Sequence, residues 1–185
     1  MVACPLVAAD DHSPSRAVYD ALAACSSLML VQLAGRRPIR GGIDVGAGIE
    51  VDGEFFGAAL VKAYELESHR AKYPRVVVGD TLVGYLQSAE RTPGESLEER
   101  CARELTRGAL SYIRRDSDGE WILDYAGSQP QKDVLSNVPG AIVLQQARRF
   151  AHEYRAGLRE RTDDDGRKLF ERYSQLVRYL DASGA

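Results

Sequence analysis

The sequence is poor in the residues that most often announce chemistry. It has three Cys, three His, two Met and one Trp in 185 residues. Cys4, Cys25 and Cys101 are an odd, widely spaced set without a CxxC pair. No disulfide framework and no thiolate metal site can be read from them. They read as reduced thiols of a cytosolic protein, small and apolar in role. His12, His69 and His152 are scattered and show no ligand spacing. An excess of positive charge is missing too. Lys and Arg total 24 against 27 Asp and Glu, a net charge of −3. That balance excludes the clustered basic footprint of a dedicated nucleic-acid binder, and the arginines interleave with acids as they do on solvated helix faces. No apolar run reaches the roughly 18 residues of a membrane span. The opening "MVACPLVAAD" lacks the basic n-region of a signal peptide. The expectation is a cytoplasmic protein with neither a nucleic-acid nor a membrane partner.

What is present is punctuation. Val2 to Ala9 is an apolar run that reads as a buried strand despite Pro5. Ser13 and Pro14 then suit an N-cap and a first helical position. Val18, Leu22, Cys25, Met29 and Leu33 follow on one helical face. Gly35 suits the left-handed end of that helix, and Pro38 forbids its continuation. Six glycines crowd residues 41–57. Strands are expected at Ile39 to Val45 and Ile49 to Val51, with a hairpin turn at Asp52-Gly53. A helix carrying Ala59, Ala63 and Leu66 on one face then runs to Pro74. "RVVV" reads as a fully buried strand.

Further on, "TLVGYLQSAE" reads as a short helix, and Ser96 with Glu99 forms a capping box for another. "YIRRDSDGEWILDYAG" reads as a hairpin turning at Asp116 to Gly119. Its Asp-x-Asp-Gly start faintly resembles a calcium loop, but the remaining ligands are missing and a turn fits better. Ala141 to Arg161 and Lys168 to Leu180 read as two helices. Asp163, Asp164 and Asp165 precede the second, at its positive end. The fold class expected is α+β: an α/β domain over residues 1–135, of split βαββαβ, ferredoxin-like character, and a C-terminal helical pair over 136–185 packed on it.

The run "IRGGIDVGAGIEVDGEFFGAALVKAYELESHRAKYPRVVV" resembles the second half of class III nucleotide cyclase domains. The matching positions are Arg40, Gly42, Ile43, Gly46, Gly57, Ala63, Leu66 and Glu67. The variant is most similar to the bacterial Pycsar cyclases. The resemblance is specific only over Arg40 to Val78 and weak beyond it. It implies a ferredoxin-like cyclase-type sandwich, N-terminally truncated here. It also implies synthesis of cyclic UMP or cyclic CMP from the pyrimidine nucleoside triphosphate, as an antiphage signal made by a homodimer. Arg40, Gly42, Gly46 and Arg75 are the substrate-contact candidates it implies. Arg40 reads equally as a strand-edge surface arginine, and for Arg75 that plain reading is the favoured one.

The family uses Mn²⁺ or Mg²⁺, held by two aspartates on its first strand and first hairpin. Both positions are expected to lie upstream of Met1. Asp10 and Asp11 follow the apolar strand and are not promoted to ligands. Where many class III enzymes carry an Asn and an Arg on the helix after the hairpin, this sequence has Val61 and Glu65. That departure is shared by Pycsar-type sequences. A catalytically dead, cyclase-like binding module and an unrelated ferredoxin-like regulatory domain are the competing expectations.

Overall fold

The computed structural model describes residues 14–93, 96–133 and 138–183. The expected strand at Val2 to Ala9, and Cys4, Asp10, Asp11, His12 and the Ser13 cap, lie outside the described residues. So does the boundary expected between residues 135 and 136.

Helix α1, Pro14–Ala34, begins on its proline and buries Val18, Leu22, Met29, Leu30 and Leu33. Its end differs from the expectation. Arg36, not Gly35, takes the left-handed conformation, with φ 60°. The Arg37 N–H reaches the Gln32 carbonyl at 2.8 Å, and the Arg36 N–H reaches that of Leu33. An arginine holds this position because its side chain is anchored. It pairs with Glu153 at 3.1 Å and lies 5.4 Å over the Phe150 ring. By length and composition alone, α1 could cross a membrane, with a mean hydropathy of 1.5 over 18 residues. The sequence-based expectation of no such stretch is corrected to that extent. Here the helix's apolar side is part of the core.

A sheet of order β1-β4-β6-β5 lies against these helices. Its strands are β1 (Gly41–Ile43), β4 (Val76–Val78), β5 (Ile113–Arg115) and β6 (Trp121–Leu123). β1 runs parallel to β4, with Gly42 opposite Val77. β6 runs antiparallel to both β4 and β5. β4 therefore has a neighbour on each side, and all three of its valines are buried, as a central strand requires.

Strands β2 (Gly48–Val51) and β3 (Glu54–Gly57) form a separate antiparallel ribbon. Its turn is Asp52-Gly53, with φ 53° and 80°. Two positive φ values in a two-residue loop give the type I′ geometry that matches strand twist. Helix α2 (Ala58–Glu65) follows and ends in a π-turn over Leu66–Arg70.

The remaining helices are α3 (Asp80–Arg91), α4 (Leu97–Leu110), α5 (Ser128–Asp133), α6 (Val138–Gly157) and α7 (Asp164–Ala182). The capping box at Ser96 and Glu99 forms as expected, and Asp163 caps α7 through the Gly166 N–H. α5 and the π-turn were not foreseen. α6 and α7 fold back on one another, with the Tyr154 and Tyr173 rings 4.4 Å apart. One core unites α1, the sheet and these helices, running through Leu22, Val78, Ile122, Ala147 and Leu176. The class is α+β.

α7 is fastened to the sheet through Tyr179. Its hydroxyl donates to Asp124 Oδ1 at 3.0 Å and accepts from the Ala126 N–H at 2.8 Å. Burial pushes the Asp124 carboxyl above its usual value, against the opposing effects of Tyr179 and the Arg114 charge. A raised folded-state pKa means that the folded chain binds this proton more tightly than the unfolded chain. Stability is therefore lost as pH rises through the folded pKa. Asp124→Asn keeps the acceptor for Tyr179 and removes the buried charge. Thermal unfolding should show the variant more stable than the wild-type chain at pH 7. The gap should close below the ordinary carboxylate range.

Candidate functional site

The crowded glycines serve the approach of α2 to β1. A Cβ on Gly42 would stand 2.7 Å from Leu66 Cβ and would also strike the Ala63 carbonyl. One on Gly46 would stand 3.1 Å from the Ala59 nitrogen. α2 thus lies directly on the backbone of the glycine strand, and the space freed by these two residues is filled by the chain's own helix. Gly57, with φ 140°, turns the ribbon into α2; a side chain there would meet Gly48 Cα at 2.6 Å.

Arg40 is half exposed. It donates to Glu67 Oε1 at 2.7 Å and to the Ala71 carbonyl at 3.1 Å, so it ties the β1 start to the π-turn. Arg75 is a different case, with its side chain only 1% exposed. It donates to Asp116 and, in bidentate fashion, to Asp118 Oδ1 and Oδ2 at 3.0 and 2.8 Å. It also reaches the Arg70 carbonyl at 2.7 Å and sits 4.8 Å over the Tyr73 ring. Burial alone would lower its pKa, but Asp118, Tyr73 and Asp116 together hold it above the usual arginine value. Asp118 is held below its own usual value, chiefly by the hydrogen bond from Arg75. The Asp-x-Asp-Gly turn does gather its carboxylates around a cation, and that cation is this guanidinium.

Beside these contacts lies a groove of about 380 Å³ between α2, the π-turn and the start of α3. Asp44, Lys62, Glu65, His69, Arg70 and Thr81 line it. None of Arg40, Gly42, Gly46 and Arg75 does, so the structure does not gather the four sequence candidates at one cavity.

Asp44 is the best-fixed side chain of the groove. Its Oδ1 accepts from the Val45 and Leu82 N–H groups, both at 2.9 Å. It caps α3 from the end of β1, doing from elsewhere in the chain what an N-cap side chain does locally. Gly79 makes room for it, since a Cβ there would lie 2.6 Å from Asp44 Oδ1. Lys62 Nζ donates to Thr81 Oγ1 at 3.1 Å across the groove. The lining carries both signs of charge, suiting a polar ligand with charged and neutral parts.

The sequence argument passed over Asp44, Lys62 and Thr81. The available signal was an Asp directly after a short apolar strand, in "GGIDVG", and a Gly-Asp-Thr directly after "RVVV".

The metal pair implied by the cyclase resemblance can be tested against these residues. Among the described residues no group of three or more His, Cys, Asp or Glu is placed to hold an ion. Asp44 already accepts two backbone N–H groups, and Asp116 and Asp118 hold Arg75. The described residues therefore do not fit a two-metal centre, and no chemical step is derived through one.

Two substitutions test the groove's scaffold by urea unfolding. Gly42→Ala forces α2 off β1 and should cost about 1–3 kcal/mol, the range for overpacking. Asp44→Ala removes the α3 cap and should cost about 1 kcal/mol. Compared with protein-family models, with curated proteins and with solved structures, the chain finds no match.

Proposed function

We propose that this chain is a nucleotide module of the class III cyclase type, working in cyclic UMP or cyclic CMP synthesis in the cytoplasm as part of antiphage signalling. The observation that carries the proposal is the way Arg40 to Val78 folds as one unit. A glycine strand pairs in parallel with a valine strand, and the helix between them lies on the bare backbone of Gly42. The motif-bearing stretch thus has a single architectural logic, and the ferredoxin-like sandwich is the finer fold proposed for it.

In the proposed reaction the ribose 3′-oxygen bonds to the α-phosphorus of UTP or CTP. The bond from that phosphorus to the pyrophosphate oxygen breaks. The hydroxyl proton passes to solvent water, and pyrophosphate departs. The described residues offer no centre for Mn²⁺ or Mg²⁺, so the charge stabilisation and hydroxyl activation that such ions would supply are not assigned to them. The part assigned to the described residues is to bind and orient. Polar groups of the groove, Lys62 and Thr81 among them, stand where a nucleotide's charged and neutral parts could be held.

A homodimer belongs to the same proposal. Ile49, Val51 and Phe56 are 65%, 49% and 50% exposed on the β2–β3 ribbon, and Val61 and Tyr64 on α2 are exposed too. A two-stranded ribbon with that much bare apolar surface is marginal by itself, and a second copy would cover it.

A second reading is a cyclase-like module that binds a nucleotide or partner without turnover. Arg40 and Arg75 favour it, because both guanidinium groups are engaged by acceptors within the chain.

The test uses the protein as its native cells make it, incubated with each nucleoside triphosphate and Mn²⁺ or Mg²⁺. A cyclic product from UTP or CTP alone is the expected outcome. Saturable pyrimidine-nucleotide binding without product would leave the second reading standing. Neither binding nor product would sink both. In sedimentation experiments the wild-type chain should run as a dimer, and Phe56→Asp should shift it towards monomer.

A further inference from the structure

The turn between β5 and β6 reaches one residue of the groove wall, Arg70, through Glu120. Asp116, Asp118 and Glu120 lie on it or beside it, while Arg70 ends the π-turn and Lys72 and Arg75 lie between that turn and β4. Arg75 holds Asp116 and both oxygens of Asp118. Lys72 Nζ stands 3.6 Å from Asp118 Oδ2, Arg70 pairs with Glu120, and the Tyr73 hydroxyl donates to Asp116 at 2.8 Å. The carboxylates are also aimed by the turn itself. Ser117 N–H donates to Asp116 Oδ1 at 2.7 Å, and Glu120 N–H to Asp118 Oδ1 at 3.3 Å.

On the other side, Arg75 Nη2 donates to the Arg70 carbonyl at 2.7 Å. The last residue of the π-turn is therefore gripped twice: its carbonyl by Arg75 and its side chain by Glu120. Arg70 is also a wall of the groove. A π-turn is an irregular helix end whose register depends on its surroundings, and here those surroundings are a hairpin turn some 50 residues further along the chain.

We propose that the Asp116–Glu120 turn is a latch: by holding Arg75 and Arg70 it fixes the π-turn that ends α2, and loosening the turn opens the groove from that side. The coupling runs through one contiguous set of charge-assisted contacts, each end of which moves a separate element. It requires nothing of what the groove binds, so it stands apart from the cyclase proposal.

Hydrogen–deuterium exchange read by mass spectrometry tests it. Asp118→Asn keeps the turn's shape and removes the charge facing Arg75 and Lys72. Residues 66–72 should exchange at least about tenfold faster than in the wild-type chain, as expected when a buried charge keeps only one of its two carboxylate partners. The interior of α6, residues 144–155, should be unchanged. Glu120→Gln removes only the Arg70 pair and should give a smaller rise confined to the same segment. If Asp118→Asn does not fold, Glu120→Gln decides by the same criterion. Unchanged exchange at 66–72 would overturn the proposal. So would a loss of protection spread evenly over the whole chain, because the turn would then be only a general brace.

Discussion

A guanidinium at 1% exposure sets terms for everything around it. Arg75 sits at the threshold of β4, the strand that pairs on both sides and buries every residue it has. A buried charge without partners is too costly to keep, so the β5–β6 turn has to stand where its carboxylates can meet Arg75. The same residue's carbonyl accepts from Gly41 N–H at 3.1 Å, which begins the β1–β4 pairing. Next to it the Pro74 carbonyl accepts from the buried Tyr125 hydroxyl. The register of β1, the placing of the hairpin and the end of the π-turn thus all meet at residues 74 and 75. Polar contacts of this kind add specificity more readily than net stability, because a mis-registered sheet would strand the charge.

The glycines impose a second constraint, of shape rather than charge. With α2 lying on β1, the two elements approach more closely than side chains permit, and Gly42 has no spare space. This bears directly on function. A glycine strand that touches a ligand and one that touches a helix look identical in a sequence. In this chain Gly42 and Gly46 face the helix. Ligand contact by this stretch has to come from the groove's rim, where Lys62, His69 and Thr81 are exposed or half-buried, rather than from bare backbone in β1.

Much of the element order was legible because its signals are local. Pro14 starts a helix, Ser96 and Glu99 close a capping box, and Asp52-Gly53 makes a hairpin turn. Each acts within four residues of itself, so the chain's own order states it. What was not legible depends on distant partners. Nothing near Arg75 shows that Asp116 and Asp118 wait 41 and 43 residues later. Nothing near α3 shows that its cap is Asp44, 38 residues upstream of the N–H it accepts. Arg36 took the left-handed place that Gly35 suits better because Glu153 and Phe150 hold it there, again from far along the chain. The candidate site suffered most, because the groove is built from tertiary neighbours: β1's end, one face of α2 and the start of α3.

The ribbon carries the argument from fold to assembly. Cross-strand pairing puts Ile49 opposite Phe56 and Val51 opposite Glu54, so one face carries three large apolar residues with a single charge at its tip. The other face pairs Glu50 with Phe55 and ends in the Gly48–Gly57 pair. Those two glycines leave it little side-chain surface near α2. Such a ribbon is sided, and both of its sides, the apolar one included, are exposed among the described residues. The type I′ turn at Asp52-Gly53 gives it the twist of a well-formed hairpin, yet two strands alone are marginal in water. In the proposed dimer, a second copy covering the apolar side would supply the further layer that a two-stranded hairpin needs. The groove also takes Lys62 and Glu65 from the helix that follows the ribbon, so in the proposed dimer the interface and the groove would share α2.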